Sequence, residues 1–257
     1  PTPPTAAATA RSAAGRACSQ RGMSGSMTRR EHGTTMLHSS MILRSYHSLL
    51  CKRLQTIPLR GTQKGFMERD GISENISILK ALFQKARTDR RSVYMCLLDV
   101  SKAFDSVAHG AIIAALERLG VPAELITYVR GLYSNAQVLV GEKYVSLGRG
   151  VRQGCPLSTF LFNAVIDMCL DGIPVQFGFK LDDDISLADL FFADDGVLVS
   201  DTDQGLQKLL DHITERFRRV GLELNAQKSH SLAFPYSGVR GRNYVNANSF
   251  LKVGDVM

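Results

Sequence analysis

The sequence predicts an α+β fold built on one antiparallel sheet, and three observations support this prediction. Short β-branched and aliphatic runs, suited to buried strands, alternate with amphipathic runs in the order strand, helices, hairpin, helix, strand. Each amphipathic run has its apolar residues along one side, which indicates one buried face per helix. The acidic pair Asp194-Asp195 separates two apolar runs that are typical of a hairpin. This order favours a split βαββαβ unit, a ferredoxin-like sheet with its helices on one face.

The first strand is predicted at 93–98, directly before Asp99. Its β-branched and aliphatic residues suit a buried strand better than a helix. A helix follows and is stopped by Gly120 and by Pro122, which stands at the head of the next helix. The apolar positions of the stopped helix are Ile112, Ile113, Leu116 and Leu119.

The last helix of the unit is predicted from about 203 to 220, and a last strand from 229 to 234. The apolar face of this helix comprises Leu206, Leu209, Leu210, Ile213 and Phe217. Folding of a split unit brings its first strand beside the central hairpin. Asp99 is therefore expected close to Asp194 and Asp195.

Two more helices are predicted upstream of the unit. The first begins at Leu37 and ends before Pro58, and the second extends from Ser73 to Ala86. The residues expected on the inward side of the first are Met41, Ile42, Tyr46, Leu49, Leu50 and Leu54. The residues expected on the inward side of the second are Ile76, Leu79, Leu82, Phe83 and Ala86.

The acidic pair is the strongest indication of chemistry in the sequence. The tripeptide Asp194-Asp195-Gly196 is predicted to be the tight turn of the hairpin, with both carboxylates at its tip. Crowded carboxylates cost free energy unless a cation offsets the repulsion, and a pair of divalent ions would do so. With Asp99, the set suits two-metal phosphoryl or nucleotidyl transfer, in which the ions lie roughly 3.5–4 Å apart. Oxygen ligands favour magnesium or manganese.

Other interpretations of the acidic residues stay open at this point. An Asp-Asp-Gly turn by itself is more often a solvated hairpin, because Asp and Gly are favoured turn residues. The run 182–184 consists of three aspartates and is a rival metal site, although consecutive carboxylates on a loop usually face water. The five cysteines are scattered singly without zinc spacing, which fits a reducing compartment, and Cys96 and Cys169 are expected in the core.

Length and charge set outer limits on the function. A chain of 257 residues with 44% hydrophobic composition can bury a substantial core. The net charge of +7 is concentrated in residues 1–60, which hold nine Lys or Arg and one acid, so the remainder carries −1. Seven basic residues either line a groove for phosphates or occupy the solvated face of a helix: Lys64, Arg69, Lys80, Lys85, Arg87, Arg90 and Arg91. No apolar stretch reaches 18 residues, so no membrane partner is expected.

Six motifs stand in a consistent order along the chain. They are Gln63-Lys64-Gly65-Phe66, Glu74-Asn75, residues 98–105 from Leu98 to Asp105, residues 150–158 from Gly150 to Ser158, Phe192-Ala193-Asp194-Asp195, and residues 221–228 from Gly221 to Lys228. Each motif alone is weak, but the ordered set is specific. From Leu37 to Met257 the sequence resembles the reverse transcriptase domain of a non-LTR, LINE-type retrotransposon. It is most similar to the site-specific elements that carry a restriction-like endonuclease.

The resemblance implies a right-hand polymerase palm with partial helical fingers and no thumb. It implies an RNA-directed DNA polymerase fragment that adds deoxynucleotides to a primer 3′-hydroxyl opposite an RNA template, with two Mg²⁺ ions or Mn²⁺ as cofactor. The implied partners are the RNA template, the DNA primer, deoxynucleoside triphosphates, and the thumb and endonuclease of the full-length protein. The implied location is the nucleus.

The resemblance also assigns roles to individual residues. The catalytic set is Asp99, Asp194, Asp195 and Lys228, with Lys228 protonating the departing pyrophosphate. The metal set is Asp99, Val100, Asp194 and Asp195. The nucleotide-binding set is Ser101, Lys102, Ala103, Phe104 and Gln153, with Phe104 excluding a 2′-hydroxyl. The template and primer set is Lys64, Gly65, Arg152, Gln153 and Gly154, and the glycines allow close backbone approach.

The domain boundaries are predicted from the same comparison. Residues 1–36 form a disordered or foreign segment, 37–92 partial fingers, 93–234 the palm with a template-contact insert at 136–158, and 235–257 the start of a truncated primer-grip region. Cys155 stands where close relatives usually have aspartate. We expect weak or no activity from the fragment alone, because positioning of primer and template supplies much of the rate. The alternatives are a decayed, inactive remnant that at most binds nucleic acid, and a metal-dependent phosphohydrolase.

Overall fold

Helices and strands alternate along the chain as the apolar pattern predicts. The computed structural model describes residues 41–66, 70–134 and 136–236. The helices are α1 (Met41–Leu54), α2 (Gly71–Thr88), α3 (Ala103–Ser106), α4 (His109–Arg118), α5 (Ala123–Ser134), α6 (Pro156–Leu170) and α7 (Asp203–Arg219). The strands are β1 (Val93–Leu98), β2 (Gln137–Val140), β3 (Lys143–Ser146), β4 (Phe179–Lys180), β5 (Ser186–Leu187), β6 (Asp189–Phe192), β7 (Asp195–Ser200) and β8 (His230–Phe234).

The main sheet has four antiparallel strands in the order β6-β7-β1-β8. The first strand lies between the second strand of the hairpin and the last strand, as a split βαββαβ unit requires. Leu98 at the end of β1 is paired with Gly196 near the start of β7. This register places Asp99 beside the β6–β7 hairpin, so the prediction that the first strand lies next to the hairpin is confirmed.

Alternate residues of the sheet enter two separate parts of the core. Cys96 and Leu98 pack with residues of α4, α6 and α7 on one face. Val93 and Met95 point to the other face and pack with Leu82 of α2. The α+β class is confirmed, but the second face is not left open, because α2 lies against part of it. The inward side predicted for α2 is right for Leu82 and Ala86, which are buried, but wrong for Ile76, which is 47% exposed. Sequence periodicity also did not show which surface this side would cover.

Leu82→Ala tests this packing. Leu82 is fully buried between α2 and the sheet, so truncation removes apolar contacts and leaves a cavity. We expect the free energy of unfolding to fall by about 2–5 kcal/mol in urea denaturation. Lys80→Ala, on the exposed side of the same helix, is the matched control and should change it by less than about 0.5 kcal/mol. Equal effects of the two substitutions would contradict the packing.

The inward face predicted for α1 is wrong for Met41, Ile42, Tyr46 and Leu49, which are exposed. Met41 and Ile42 are 86% and 83% exposed, and Leu49 is 68% exposed. The buried residues of this helix are His47, Cys51 and Leu54. The helix packs on α6 through a stripe centred on His47, because a buried polar cluster at His47 replaces the apolar contact that the pattern suggested. Only Leu50 and Leu54 of the predicted face contact the core.

The other sequence-predicted elements agree closely with the structure. Strand β1 has the predicted bounds, and all five predicted apolar residues of α7 are buried. Cys96 and Cys169 are buried, as expected of core residues. Within the described residues, no helix is long and apolar enough to cross a membrane. The predictions for residues 1–36 and for 237–257 fall outside the described residues, and the domain boundaries stay predictions.

Candidate active site

The turn of the hairpin lies one residue earlier than predicted. Phe192 is paired with Asp195, so Ala193 and Asp194 alone form the turn and Asp195 is the first residue of β7. Ala193 has a φ of 59°, and the favoured two-residue hairpin turns require a positive φ at their first central residue. A residue with a Cβ is held there at a cost of about 1–3 kcal/mol. The acidic pair is therefore divided between the turn tip and the strand.

The first acidic residue lies where the sheet order predicted it. Asp99 and Asp195 line the same cavity, of about 320 Å³. The backbone of Asp99 is fixed from the other side, because its N–H donates to Ser229 Oγ at 3.1 Å and its carbonyl accepts from Asn225 N–H at 2.8 Å. Burial raises the pKa of the Asp195 carboxyl, and the negative charges of Asp194 and Asp99 raise that pKa further. Asp195 is thus close enough to Asp194 and to Asp99 to be affected by both charges, whereas Asp194, on the turn, does not line this cavity.

The three carboxylates have the donor chemistry of a divalent-metal site, but in this structure they are not gathered closely enough to form one. They offer oxygen donors only, as Mg²⁺ and Mn²⁺ prefer, and their mutual repulsion is the electrostatic cost that a cation would offset. In the described part of the chain, no group of three or more His, Cys, Asp or Glu side chains is close enough by itself to hold an ion. Val100, the fourth predicted ligand, forms a bridge with Leu224 beside Asp99.

Lys228 lies on the wall of the same cavity. The segment 221–228 follows α7, and Leu224 and Asn225 bring it against the end of β1. Lys228 N–H donates to Asn225 O at 3.2 Å, which turns the chain before β8. The structure therefore brings Lys228 to Asp99 and Asp195, and its role as a proton donor stays a prediction.

Phe104 is held in a fixed orientation by two other aromatic rings. Its ring is stacked on Phe162, with centroids 4.6 Å apart and planes 10° apart. Phe66 meets it edge-on at 6.1 Å. Phe104 and Gln153 line a second cavity, of about 400 Å³. The Gln153 side chain donates to Asp105 Oδ1 at 2.9 Å, which ties the 150–158 motif to the 98–105 motif.

The remaining predicted nucleotide-binding residues surround the start of α3. Lys102 is exposed and has a φ of 46°, a left-handed conformation that is rare for a lysine. Ser101 N–H donates to Glu223 O at 2.8 Å, and Ala103 is buried. Lys102 thus presents its side chain outward, whereas the side chain of Ala103 packs into the core.

Arg152 also lines the second cavity, but its guanidinium is held by the protein. Its guanidinium donates to the Leu132 carbonyl at 3.0 Å, near the end of α5. Gly154 has a φ of 79° and Gly150 a φ of 94°, conformations that glycine adopts without strain. Arg152 therefore supports the loop in this structure, and a contact of its side chain with template stays a prediction.

Lys64 and Gly65 lie behind the hairpin. The Lys64 ammonium is 2.6 Å from a carboxylate oxygen of Glu74. A Cβ on Gly65 would lie 2.2 Å from the backbone nitrogen of Ala193, so only glycine fits. The structure thus assigns these two residues contacts with α2 and the hairpin, and their predicted contact with template or primer stays untested.

Several of the other charged residues are engaged in surface ion pairs. Lys85 pairs with Asp89 at 3.1 Å, and Arg91 pairs with Asp201 at 2.5 Å. The aspartates of 182–184 are exposed in the turn between β4 and β5, as expected of a solvated loop. Arg69 is outside the described residues. The pair with Asp89 favours the solvated-face interpretation for Lys85, whereas Arg91 follows the end of α2 and lies over the Phe179 ring.

Comparison with protein families shows to which family this chain belongs. Residues 33–245 match the family described as "Reverse transcriptase (RNA-dependent DNA polymerase)". The chain belongs to the reverse transcriptase family. Its motif order and its palm-like α+β sheet are thereby explained together.

Relatives of this reverse transcriptase chain include Pol polyproteins of retrotransposable elements. It is 37% identical over 223 residues to "Retrovirus-related Pol polyprotein from type-1 retrotransposable element R2" of Nasonia vitripennis, which covers 84% of the chain and 22% of the relative. It is 37% identical over 210 residues to the type-2 element R2DM protein of Drosophila melanogaster, covering 79% and 19%. The chain thus spans about a fifth of the length of these relatives.

Solved structures with the same fold include telomerases. The apo telomerase of Candida tropicalis truncated from its C-terminal domain has a TM-score of 0.58 and 14% identity, and the match covers 79% of this chain and 43% of that one. The telomerase of the same organism in complex with a TWJ fragment of telomeric RNA has a TM-score of 0.57, with 81% and 37% covered. At this identity the likeness shows the fold alone.

Sequence reasoning missed several residues that contact the predicted site residues and hold them in place. Phe162 stacks on Phe104, Ser229 and Asn225 fix Asp99, and His47 lies behind the 150–158 motif. His47 Nδ1 is 3.0 Å from Cys155 Sγ, and its Nε2 is 2.7 Å from Tyr128 Oη. No local pattern marks such residues, because their partners are distant in the sequence.

Stability of the reverse transcriptase chain is expected to depend on this buried histidine. Burial lowers the pKa of His47, and the charge of Arg152 lowers it further. The unfolded chain therefore binds the proton first, and stability is lost as pH falls below the unfolded value of about 6.5. The melting temperature should fall between pH 7.5 and 5.5, and His47→Gln should make that fall shallower. His230→Gln, at an exposed position, is the control, and equal slopes in all three proteins would contradict this account.

Proposed function

We propose that this chain carries the polymerising site of an RNA-directed DNA polymerase. It would add deoxynucleotides to the 3′-hydroxyl of a DNA primer opposite an RNA template. The observation that carries the proposal is the convergence of Asp99, Asp195 and Lys228 on one cavity, from three segments that are far apart in the sequence. The membership of the family supports it, and the ordered motifs are part of that same match.

In this proposal, Asp99, Asp194 and Asp195 hold two divalent ions, Mg²⁺ or Mn²⁺, with the Val100 carbonyl beside them. Such ions, when bound, activate the attacking hydroxyl and stabilise the leaving oxygen. Lys228 is a mobile cationic acid on the cavity wall and would give a proton to the departing pyrophosphate. The proton donor and the ligands therefore share one opening.

The nucleotide site is proposed to be the second cavity. Phe104 forms part of its wall and would meet the sugar of the incoming nucleotide. Ser101, Lys102 and Ala103 precede Phe104 in the chain, and we propose that their backbone faces the triphosphate. Gln153 and Gly154 lie on the same wall and would contact the nascent pair and the template. Lys64, Gly65 and Arg152 are proposed to support these contacts.

The substrates, partners and location of the whole protein are also proposals. RNA template, DNA primer and deoxynucleoside triphosphates are supported by the family, and thumb and endonuclease segments by the greater length of the relatives. A nuclear location is supported by the likeness to retrotransposon proteins, because such elements insert into chromosomal DNA. Microscopy of the tagged protein tests the location.

Primer extension tests the function. The purified 257-residue chain, in excess over a primed homopolymer RNA, is supplied with the complementary deoxynucleotide and Mg²⁺ or Mn²⁺. We expect slow extension, and none from Asp194→Asn. Titration of Mn²⁺ followed by the paramagnetic resonance of the free ion gives a second measurement, in which Asp99→Asn should bind less Mn²⁺. Bound Mn²⁺ without extension would overturn the polymerase proposal for this chain and favour an inactive remnant.

A further inference from the structure

A buried glutamine contacts both backbone groups at the turn of the catalytic hairpin. Gln63 is 2% exposed. Its Oε1 accepts from Ala193 N–H at 2.9 Å, and its Nε2 donates to the Ala193 carbonyl at 3.2 Å. The same Oε1 accepts from Gly65 N–H at 2.9 Å. One side-chain amide therefore satisfies the turn residue completely, in a place where an unpaired backbone group would be costly.

The backbone around Gln63 is itself fixed to the hairpin. Strand β6 is at the edge of the sheet, and its outer side pairs with the segment before Gly65. Phe191 N–H donates to Thr62 O at 2.8 Å, and Lys64 N–H donates to Phe191 O at 2.9 Å. This parallel pairing brings the Gln63 side chain to the turn from a rigid base.

A second contact locks the segment from behind. Gly65 lies so close to Ala193 that a Cβ there would be 2.2 Å from the Ala193 nitrogen. The Gly65 carbonyl accepts from Asn163 Nδ2 of α6 at 2.5 Å. Helix α6, the 62–65 segment and the hairpin tip therefore form one continuous contact.

Two features of the turn would favour a change of its conformation if the contact with Gln63 were lost. Ala193 is held in a left-handed conformation without the freedom of glycine. Asp194 and Asp195 follow directly, and Asp195 lies close to the like charges of Asp194 and Asp99. The position of both carboxylates therefore depends on what holds Ala193.

We propose that Gln63 is a positioning residue of the polymerase site: its amide fixes the Ala193-Asp194 turn and so sets the direction of Asp194 and Asp195. The inference rests on the proposed function for its kinetic consequence. Its structural half, the hold of Gln63 on the turn, can be measured whether or not the chain polymerises.

Hydrogen exchange measures the structural half. Gln63→Leu keeps a similar size and removes all three hydrogen bonds. We expect amide exchange in a peptide that covers Ala193 to become at least about tenfold faster, with exchange in β1 unchanged. Ser200→Ala is the matched control, because Ser200 is buried at the opposite end of β7 and donates to the Phe177 carbonyl. Unchanged exchange at Ala193 in the Leu variant would overturn the inference.

Kinetics measures the functional half. Gln63→Leu should lower kcat for single-nucleotide addition by about tenfold and leave KM for the nucleotide unchanged, whereas Ser200→Ala should change neither. Adding Ala193→Gly to Gln63→Leu should recover part of the rate, because glycine adopts the turn conformation unaided. If Gln63 only stabilised the fold, Ala193→Gly would not restore the rate. A double variant that is no faster than Gln63→Leu would therefore overturn the inference.

Two outcomes separate this inference from the proposed function. A wild-type chain that incorporates no nucleotide, but shows faster exchange at Ala193 in Gln63→Leu, contradicts the function and supports the hold on the turn. An active wild type with an equally active Leu variant contradicts the inference alone. If Gln63→Leu does not fold, Gln63→Glu is the substitute, because it keeps the acceptor oxygen for both N–H groups and removes only the donor to the Ala193 carbonyl. Amide exchange at Ala193 should then be faster than in the wild type, and an unchanged rate would overturn the inference.

Discussion

Asp195→Asn is expected to abolish primer extension by this chain. The substitution keeps the size of the side chain and removes one negative charge from the set that converges on the cavity. Loss of an ion that stabilises the leaving oxygen is worth several kcal/mol, so we expect kcat/KM to fall by at least about 10³-fold. Single-turnover extension of a primed RNA measures the loss.

The controls for Asp195→Asn separate chemistry from folding. Burial raises the pKa of Asp195, and so do the charges of Asp194 and Asp99, so the charged form is disfavoured in the fold. The melting temperature of Asp195→Asn without divalent ions should therefore equal or exceed that of the wild type. Asp182→Asn, in the exposed acidic run, should keep full activity. An active Asp195→Asn variant would remove the basis of the two-metal proposal.

Phe104→Val is expected to admit ribonucleotides. The Phe104 ring is fixed between Phe162 and Phe66, so it cannot swing aside for a 2′-hydroxyl as a loosely held ring could. Valine leaves space at the cavity wall. We expect the preference for deoxynucleotides over ribonucleotides to fall by about 10²-fold, the scale of discrimination that an apolar wall achieves. Steady-state incorporation of the two nucleotides on the same primed RNA gives the ratio.

Phe83→Val is the matched control for sugar selection. Phe83 is on α2 and meets Phe234 edge-on at 5.0 Å, away from the residues that line the Phe104 cavity. Its truncation should lower stability and leave the nucleotide preference unchanged. An unchanged preference in Phe104→Val, or an equal change in both variants, would assign sugar selection to another part of the site.

The agreement between sequence and structure is best where short-range patterns carry the information. The bounds of β1 and the buried face of α7 follow from local spacing, because strand and helix periods differ. The prediction for α1 failed because local spacing does not show which side of a helix will be buried. This helix buries His47, whose partners Cys155 and Tyr128 are distant in the sequence.

The β6–β7 hairpin also combines a feature that follows from local residue types with one that depends on distant contacts. The residue types Asp194-Asp195-Gly196 favoured a turn, but pairing of Phe192 with Asp195 moved the turn to Ala193-Asp194. Register depends on hydrogen bonds between strands and on the contact with Gln63 behind them. A local pattern cannot supply either, since both involve segments from elsewhere in the chain.

The sequence by itself determined the α+β class, the position of the first strand beside the hairpin and, through six ordered motifs, the family, and it supplied the acidic residues that we propose for the site. These are properties of residue type and spacing, and they survive without coordinates. Only the tertiary structure decided that α2 covers the second face of the sheet, that Arg152 turns toward α5, and that Gln63 holds the hairpin. Such choices depend on which distant groups satisfy buried hydrogen bonds and fill the core, and these partners are fixed only when the whole chain packs.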